Sequence, residues 1–319
     1  MHGQSSAPWP VAIPALLVWA TLSPSAQRAS ESAGTNLVGT WTLTSVERPS
    51  ASGPSSGANP RGILIFDAAG HALEIVTRAG RRPYAAAQAT PAEAQTTFAE
   101  YAGFWGAYQL DQRQGRIAYK RVGAVNPKLI GGEFMRAISA QNDRLTVTSM
   151  MGTDDQPGMR WVWERVPDLE NLSAAQRRVV GFWQHVVERR INVATGAVVS
   201  ETRRAPSVIA YTPAGYVGVH FPPLDRKRYA ADQPTDDEAL AAIRGYVSYY
   251  GVSLEYPGMV SLHQLATLGP GQGTSFRRFY ENAGDELSLK FPPATFQGQQ
   301  VRTVVTLKRL SGVAEMLGR

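Results

Sequence analysis

Short runs in which apolar and polar residues alternate recur along most of the chain. They are read over residues 40–47, 63–66, 72–77, 116–122 and 145–149, the run 63–66 being apolar at every position. A period of two places alternate side chains on one buried face, which is the signature of a β-strand. The runs are separated by turn chemistry: Asp67-Ala68-Ala69-Gly70, Gln141-Asn142-Asp143, Thr212-Pro213-Ala214-Gly215 and Asn282-Ala283-Gly284-Asp285. Two segments break the strand rhythm. Thr90-x-x-Glu93 and Thr235-x-x-Glu238 are capping boxes, each opening a helical run that ends near 101–103 and 246–249. A polar stretch from 167 to 178 contains Ser173-Ala-Ala-Gln176, which predicts a cap for a short helix.

These elements come twice. Leu37-Val38-Gly39-Thr40-Trp41 matches Val179-Val180-Gly181-Phe182-Trp183 at an offset of 142. The turn 66–70 and the capping box match their later copies at 145, as do Tyr101, Phe104, Trp105 and Gly106 against Tyr246, Tyr249, Tyr250 and Gly251. Phe134-Met135-Arg136 and Asp143-Arg144-Leu145 return to an offset of 142, and Glu164-Arg165 aligns with Lys308-Arg309. An ordered series with so little drift marks a duplicated unit with small loop insertions. About eight strands and one helix in each unit of about 140 residues predict a closed antiparallel barrel, because closure removes exposed sheet edges. The expected fold is all-β, with two tandem barrels over 36–166 and 179–312, each carrying one inserted helix, joined by a linker over 167–178.

Composition narrows the function. With 43% hydrophobic and 18% charged residues, the chain is neither wholly disordered nor collagen-like. Its net charge of +6 is spread out without a Lys/Arg block, so no nucleic-acid partner is expected. The absence of cysteine excludes disulfides, thiolate nucleophiles, Fe–S clusters and Cys-ligated zinc. Five histidines leave little material for a metal site, and neither a metal nor a cofactor is expected. No nucleophile elbow, phosphate loop or dinucleotide fingerprint is present. Residues 11–22 are uncharged and too short to span a bilayer, and small residues follow at 23–26. Residues 1–26 are therefore expected to be a signal peptide, although His2 stands where Lys or Arg is usual. The mature chain is expected to be exported, periplasmic or secreted, without stable membrane insertion.

Gly39-x-Trp41 on the first strand, Asn59-Pro60-Arg61-Gly62 before the second and Gly103-Phe104-Trp105-Gly106 after the helix resemble the bacterial lipocalin-like domain family. The resemblance covers nearly all of 36–166. It is weaker over 179–311, where Arg204-Ala205-Pro206-Ser207 replaces the Asn-Pro-Arg-Gly run. It implies lipocalin-like barrels, each plugged at one end by the first-strand Trp with a late-strand Arg across its ring. The plug pairs it implies are Trp41 with Arg136 and Trp183 with Arg278, Arg165 and Arg309 being the alternatives. It also implies an apolar or amphipathic small-molecule ligand. Other tandem proteins of this kind are cofactor-free hydratases and cyclases of terpenoid- or polyketide-derived substrates, so an isomerase, cyclase or hydratase is the alternative function.

Strand parity adds candidate chemistry. If Trp183 points inward, Gly181, His185 and Val187 share its face. The first repeat has Leu43 where the second has His185, and Ile75 and Lys120 where it has His220 and His263. Neutral imidazoles in a dry lumen suit hydrogen bonding or proton transfer. The acid/base candidates are His185, His220, His263 and Tyr250. Aromatics cluster after each helix, either as core or as a wall around a ligand. The expected ligand-contacting set is Leu43, Trp105, Tyr108, His185, His220, Tyr249, Tyr250 and His263. Arg78, Arg81 and Arg82 correspond to Arg226, Lys227 and Arg228; both groups are expected in solvated loops at a barrel mouth. A third possibility is a purely interfacial protein whose lumens are filled by side chains.

Overall fold

The computed structural model describes residues 36–48, 55–56, 60–150, 158–204, 206–270 and 274–317. The expected signal segment 1–26 and Asn59 lie outside them. The first repeat folds as β1 (Gly39–Arg48), β2 (Ser55–Ser56), β3 (Pro60–Phe66), β4 (His71–Arg78), β5 (Tyr101–Asp111), β6 (Arg116–Ala124), β7 (Glu133–Gln141), β8 (Arg144–Ser149) and β9 (Arg160–Val166). The second contributes β10 (Gly181–Asn192), β11 (Val198–Thr202), β12 (Val208–Tyr211), β13 (Tyr216–Phe221), β14 (Val247–Tyr256), β15 (Met259–Thr267), β16 (Ser275–Ala283), β17 (Glu286–Lys290), β18 (Ala294–Phe296) and β19 (Gln299–Arg309). Each set is an antiparallel meander that closes on itself, through β1–β9 in one case and β10–β19 in the other. The result is two closed eight-stranded barrels, with β2, β11 and β18 as short flanking strands.

Helix α1 (Pro91–Glu100) starts where Thr90 accepts the Glu93 N–H and Glu93 accepts the Thr90 N–H in return. Helix α2 (Ala174–Val179), between the barrels, is capped in the same way by Ser173 and Gln176. Thr235 and Glu238 repeat the arrangement at α3 (Asp236–Ile243), and α4 (Val313–Met316) closes the described chain. These reciprocal bonds satisfy backbone donors that a helix start leaves open.

The Gly-x-Trp motif has a mechanical explanation. Gly39 and Gly181 take φ values of +139° and +129°, and a Cβ on either would lie 2.6 Å from Nη1 of Arg165 or Arg309. Through that gap Arg165 donates to the Val38 carbonyl, and Arg309 to those of Val180 and Arg178. Each guanidinium then lies 4.1 Å over the ring of Trp41 or Trp183, a cation–π contact worth about 0.5–2 kcal/mol. The indoles donate to Leu37 and Val179 carbonyls. The pairing of the plugs with Arg136 and Arg278 is thereby corrected. Those two arginines sit deeper in the barrels, because the ends of β9 and β19, not β7 and β16, run beside the first strand of each barrel.

Residues 37–319 form one compact unit. The outer faces of β3–β4–β5 and β12–β13–β14 carry buried side chains: Ile63, Leu73 and Trp105 on one, Val208, Ala210 and Tyr250 on the other. Leu73 meets Gly218, and His220 meets Gly103, directly across the junction. The junction has a pseudo-two-fold character, since equivalent residues reach in opposite directions. Arg81 donates to the carbonyls of Thr267 and Leu268, while its counterpart Arg226 donates to those of Ala124 and Val125. Arg81 also lies over Tyr101, and Arg226 over Tyr246. Helices α1 and α3, equivalent in sequence, pack against each other. This is the isologous geometry of a symmetric dimer, built within one chain. The expectation that Arg81 and Arg226 belong to solvated loops is corrected: both are withdrawn from water because their guanidinia serve the carbonyls of the opposite barrel.

Candidate functional site

Every lumen position can be compared with its copy in the other barrel. In the first barrel, Tyr119 stacks on Phe134 at 4.7 Å, and Phe104 meets both edge-on. Arg121 lies 3.7 Å over Phe134, and Arg136 lies 4.3 Å over Trp161. Arg136 also donates to Glu74 at 2.6 Å, both side chains being buried. Leu43 belongs to the same core. This interior is an aromatic stack threaded by cations, with a carboxylate placed on one of them.

The second interior is built differently. Core residues Trp183, Val219 and Leu262 occupy its closed end and middle. Towards the other end the wall is half-buried and aromatic: Phe221, Tyr249, Phe276 and Phe291. Arg278 lies 4.3 Å over Phe276 and 4.1 Å over Phe291. Tyr249 meets Phe276 edge-on at 5.9 Å. Burial pushes the phenols of Tyr211 and Tyr249 up and holds the Arg278 guanidinium below its ordinary value, with the phenols and the guanidinium each opposing the other's shift.

His185 lies on the lumen face, paired with the core residue Leu307. It is buried, 5.5 Å edge-on from Phe221, and neither ring nitrogen has a hydrogen-bond partner among the described residues. Burial is the main reason its imidazole is held at about 4, with the Arg204 cation adding to the effect and Glu188 opposing it. A bulge between His185 and Val187 shifts the register, so Glu188, rather than Val187, pairs with the core residue Val305. Glu188 forms ion pairs with Arg204 at 3.3 Å and Arg190 at 3.6 Å. The first barrel has Val46 at the equivalent place. Period-two counting missed Glu188 because the bulge changes parity. The matching register shift in β1, between Leu43 and Ser45, shows that it belongs to the repeat.

The other expected positions scatter. His220 is fully buried between the barrels, its Nδ1 2.9 Å from the Tyr246 hydroxyl and 3.2 Å from Ser248, which in turn meets the Tyr101 hydroxyl at 2.8 Å. Its imidazole is held at about 3, chiefly by burial; the Glu74 carbonyl works against this and the Arg226 cation with it. His263 is exposed beside Ser275. Trp105 and Tyr250 face the junction, where burial pushes the Tyr250 phenol up to about 12. Tyr108 packs on Phe66 and donates to the Asp67 carbonyl at a turn of the first barrel. Of the expected ligand-contacting set, the second lumen holds His185 and Tyr249; Leu43 lines the first. His71, not singled out by sequence, is buried 2.6 Å from Asp67 and against Phe182 of the other barrel. Among the described residues no cluster of three or more His or acidic side chains is arranged to hold a metal ion, and no helix is long and apolar enough to cross a membrane.

Two closed eight-stranded meanders, each sealed by an indole under a guanidinium, define a tandem lipocalin-like protein. Residues 38–166, the first barrel, match the model of the lipocalin-like domain family, and the second barrel repeats that architecture. No curated protein matches the chain. Among solved structures, the chain is similar to a protein of unknown function from the DUF3598 family of Nostoc punctiforme. The identity is 10%, covering 86% of this chain and 96% of that one, with a TM-score of 0.21. A mutant of transferrin binding protein B, a vaccine antigen from Haemophilus parasuis, matches at 7% identity over 81% of this chain and 62% of that one, with a TM-score of 0.20.

Proposed function

We propose that the protein binds an apolar or amphipathic small molecule, and that the interior of the second barrel receives it. One observation carries this reading: His185 is buried at an aromatic wall with both ring nitrogens unmet. Buried polar atoms in folded proteins nearly always have partners, and an orphaned pair in a lumen marks a place for a ligand's polar group. The first barrel carries the apolar Leu43 at the equivalent position. The apolar part of the ligand would gain roughly 25 cal/mol per Å² removed from water, less the cost of ordering it.

The alternative, a cofactor-independent isomerase, cyclase or hydratase, needs His185 within reach of a tyrosine or carboxylate that would set its proton. His185 has no such hydrogen bond, and the His220–Tyr246–Ser248 cluster is sealed between the barrels. Binding is therefore the better-supported function. Titration with the uncharged fluorophore N-phenyl-1-naphthylamine tests it. Saturable binding is expected, weakened several-fold in His185→Leu, which installs the residue of the first barrel. No saturable binding to the intact protein would overturn the proposal. Export belongs to the same proposal and rests on residues 11–26. N-terminal sequencing of protein from its native cell should start near residue 27, and a chain beginning at Met1 would contradict export through a cleaved signal.

A further inference from the structure

The two barrels treat the same lumen arginine in opposite ways. Arg136 and Arg278 are equivalent in sequence and in register, the first opposite Ile117 and the second opposite Val260. Glu74, paired with Leu64 and Phe104, supplies the carboxylate on Arg136. The residue in the place of Glu74 is Val219, paired with Ile209 and Tyr249, the counterparts of Leu64 and Phe104. The second barrel thus keeps the cation and lacks the carboxylate opposite it, its lumen-face acid Glu188 being paired instead with Arg204 and Arg190. Trp161, which covers Arg136, is likewise replaced, by Val305.

Arg278 finds no substitute acid among the described residues. Its one hydrogen bond among the described residues is from Nη1 to the carbonyl of Arg277. The lumen-side acid Glu255 lies two strands away, held by the Ser253 hydroxyl at 2.6 Å, and forms no ion pair with Arg278. The guanidinium is half-buried between two phenyl rings, with Tyr249 and Tyr211 close enough to sense its charge. A guanidinium cannot shed its proton to escape this environment, and a partly desolvated cation is best met by a bidentate anion.

Resting on the proposed function, we infer that the ligand of the second barrel is an amphiphile with a carboxylate head, which takes on Arg278 the place that the Glu74 carboxylate takes on Arg136. The apolar chain would then run along Phe276, Phe291 and Phe221 towards the end of the barrel away from Trp183. The first barrel, with its own carboxylate in place, is closed to such a head group.

The test uses the intact chain with 11-(dansylamino)undecanoic acid and its methyl ester as probes. The acid is expected to bind about tenfold or more tightly than the ester, because a charge-assisted pair is added. Arg278→Met should remove that preference, the ratio of acid to ester affinity falling to near one. Val219→Glu, which restores the missing internal carboxylate, should do the same by neutralising Arg278 from within. Near-UV circular dichroism identifies which variants keep their packing, and either variant alone suffices. Equal binding of acid and ester, or an acid preference that survives substitution in a folded variant, overturns the carboxylate inference and leaves ligand binding standing. Binding of neither probe overturns both.

Discussion

His220 occupies the position of Ile75 in the other repeat, and its ring lies over Gly103, where a Cβ would come within 2.7 Å of Cε1. Gly103→Ala should therefore force the junction apart and cost on the order of 1–3 kcal/mol. Thermal unfolding measures this, and the penalty should shrink in a His220→Ala background. The same burial makes the protein acid-sensitive. The folded imidazole of His220 is held at about 3, against about 6.5 in an unfolded chain. Between those values the unfolded state binds more protons, so the stability is complete above about pH 6.5 and is lost as the pH falls towards 3. The slope from this one group is at most about 1.4 kcal/mol per pH unit. His220→Ile should flatten the dependence of Tm on pH in that window; an unchanged slope would exclude His220 as the cause. In the first lumen, Glu74→Val removes the acid from a buried pair and should cost about 3–5 kcal/mol in denaturant titrations.

Among the strands, the junction depends on faces that are apolar on both sides. Ile63-Leu64-Ile65-Phe66 and Val208-Ile209-Ala210-Tyr211 are unbroken apolar runs, the pattern of strands covered on both faces. That signal was present in the sequence, yet such runs do not say what covers the second face; the opposite barrel does. The capping boxes at Thr90, Ser173 and Thr235 were fully legible, because a helix start is a local matter. The bulges in β1 and β10 were not: an extra residue in a strand leaves no local mark, and it moves Glu188 to the lumen face. The arginine clusters before the helices were legible in position and misread in role, since nothing nearby shows that Arg81 and Arg226 reach carbonyls of the other barrel. Each makes two such bonds, so Arg81→Ala and Arg226→Ala should destabilise by similar amounts, on the order of 2–4 kcal/mol. Chemical denaturation that shows a large loss for one and none for the other would contradict the pseudo-two-fold arrangement.

For the molecule as a whole, the two copies share their structural devices and differ in their interiors. Both barrels keep the indole plug, the arginine above it and the junction, which hold the fold. The interiors diverge: one keeps its aromatic stack and internal ion pair, and the other exchanges Glu74 for Val219 and Leu43 for His185. The duplication that sequence offsets reveal is therefore also the ruler that singles out the lumen proposed to bind. The most direct measurement is a crystal of the intact protein soaked with 11-bromoundecanoate, with bromine located by its anomalous signal. Bromine inside the second barrel, with the carboxylate on Arg278 and none inside the first, is the expected result. Bromine in the first barrel, or only on outer surfaces, would contradict it.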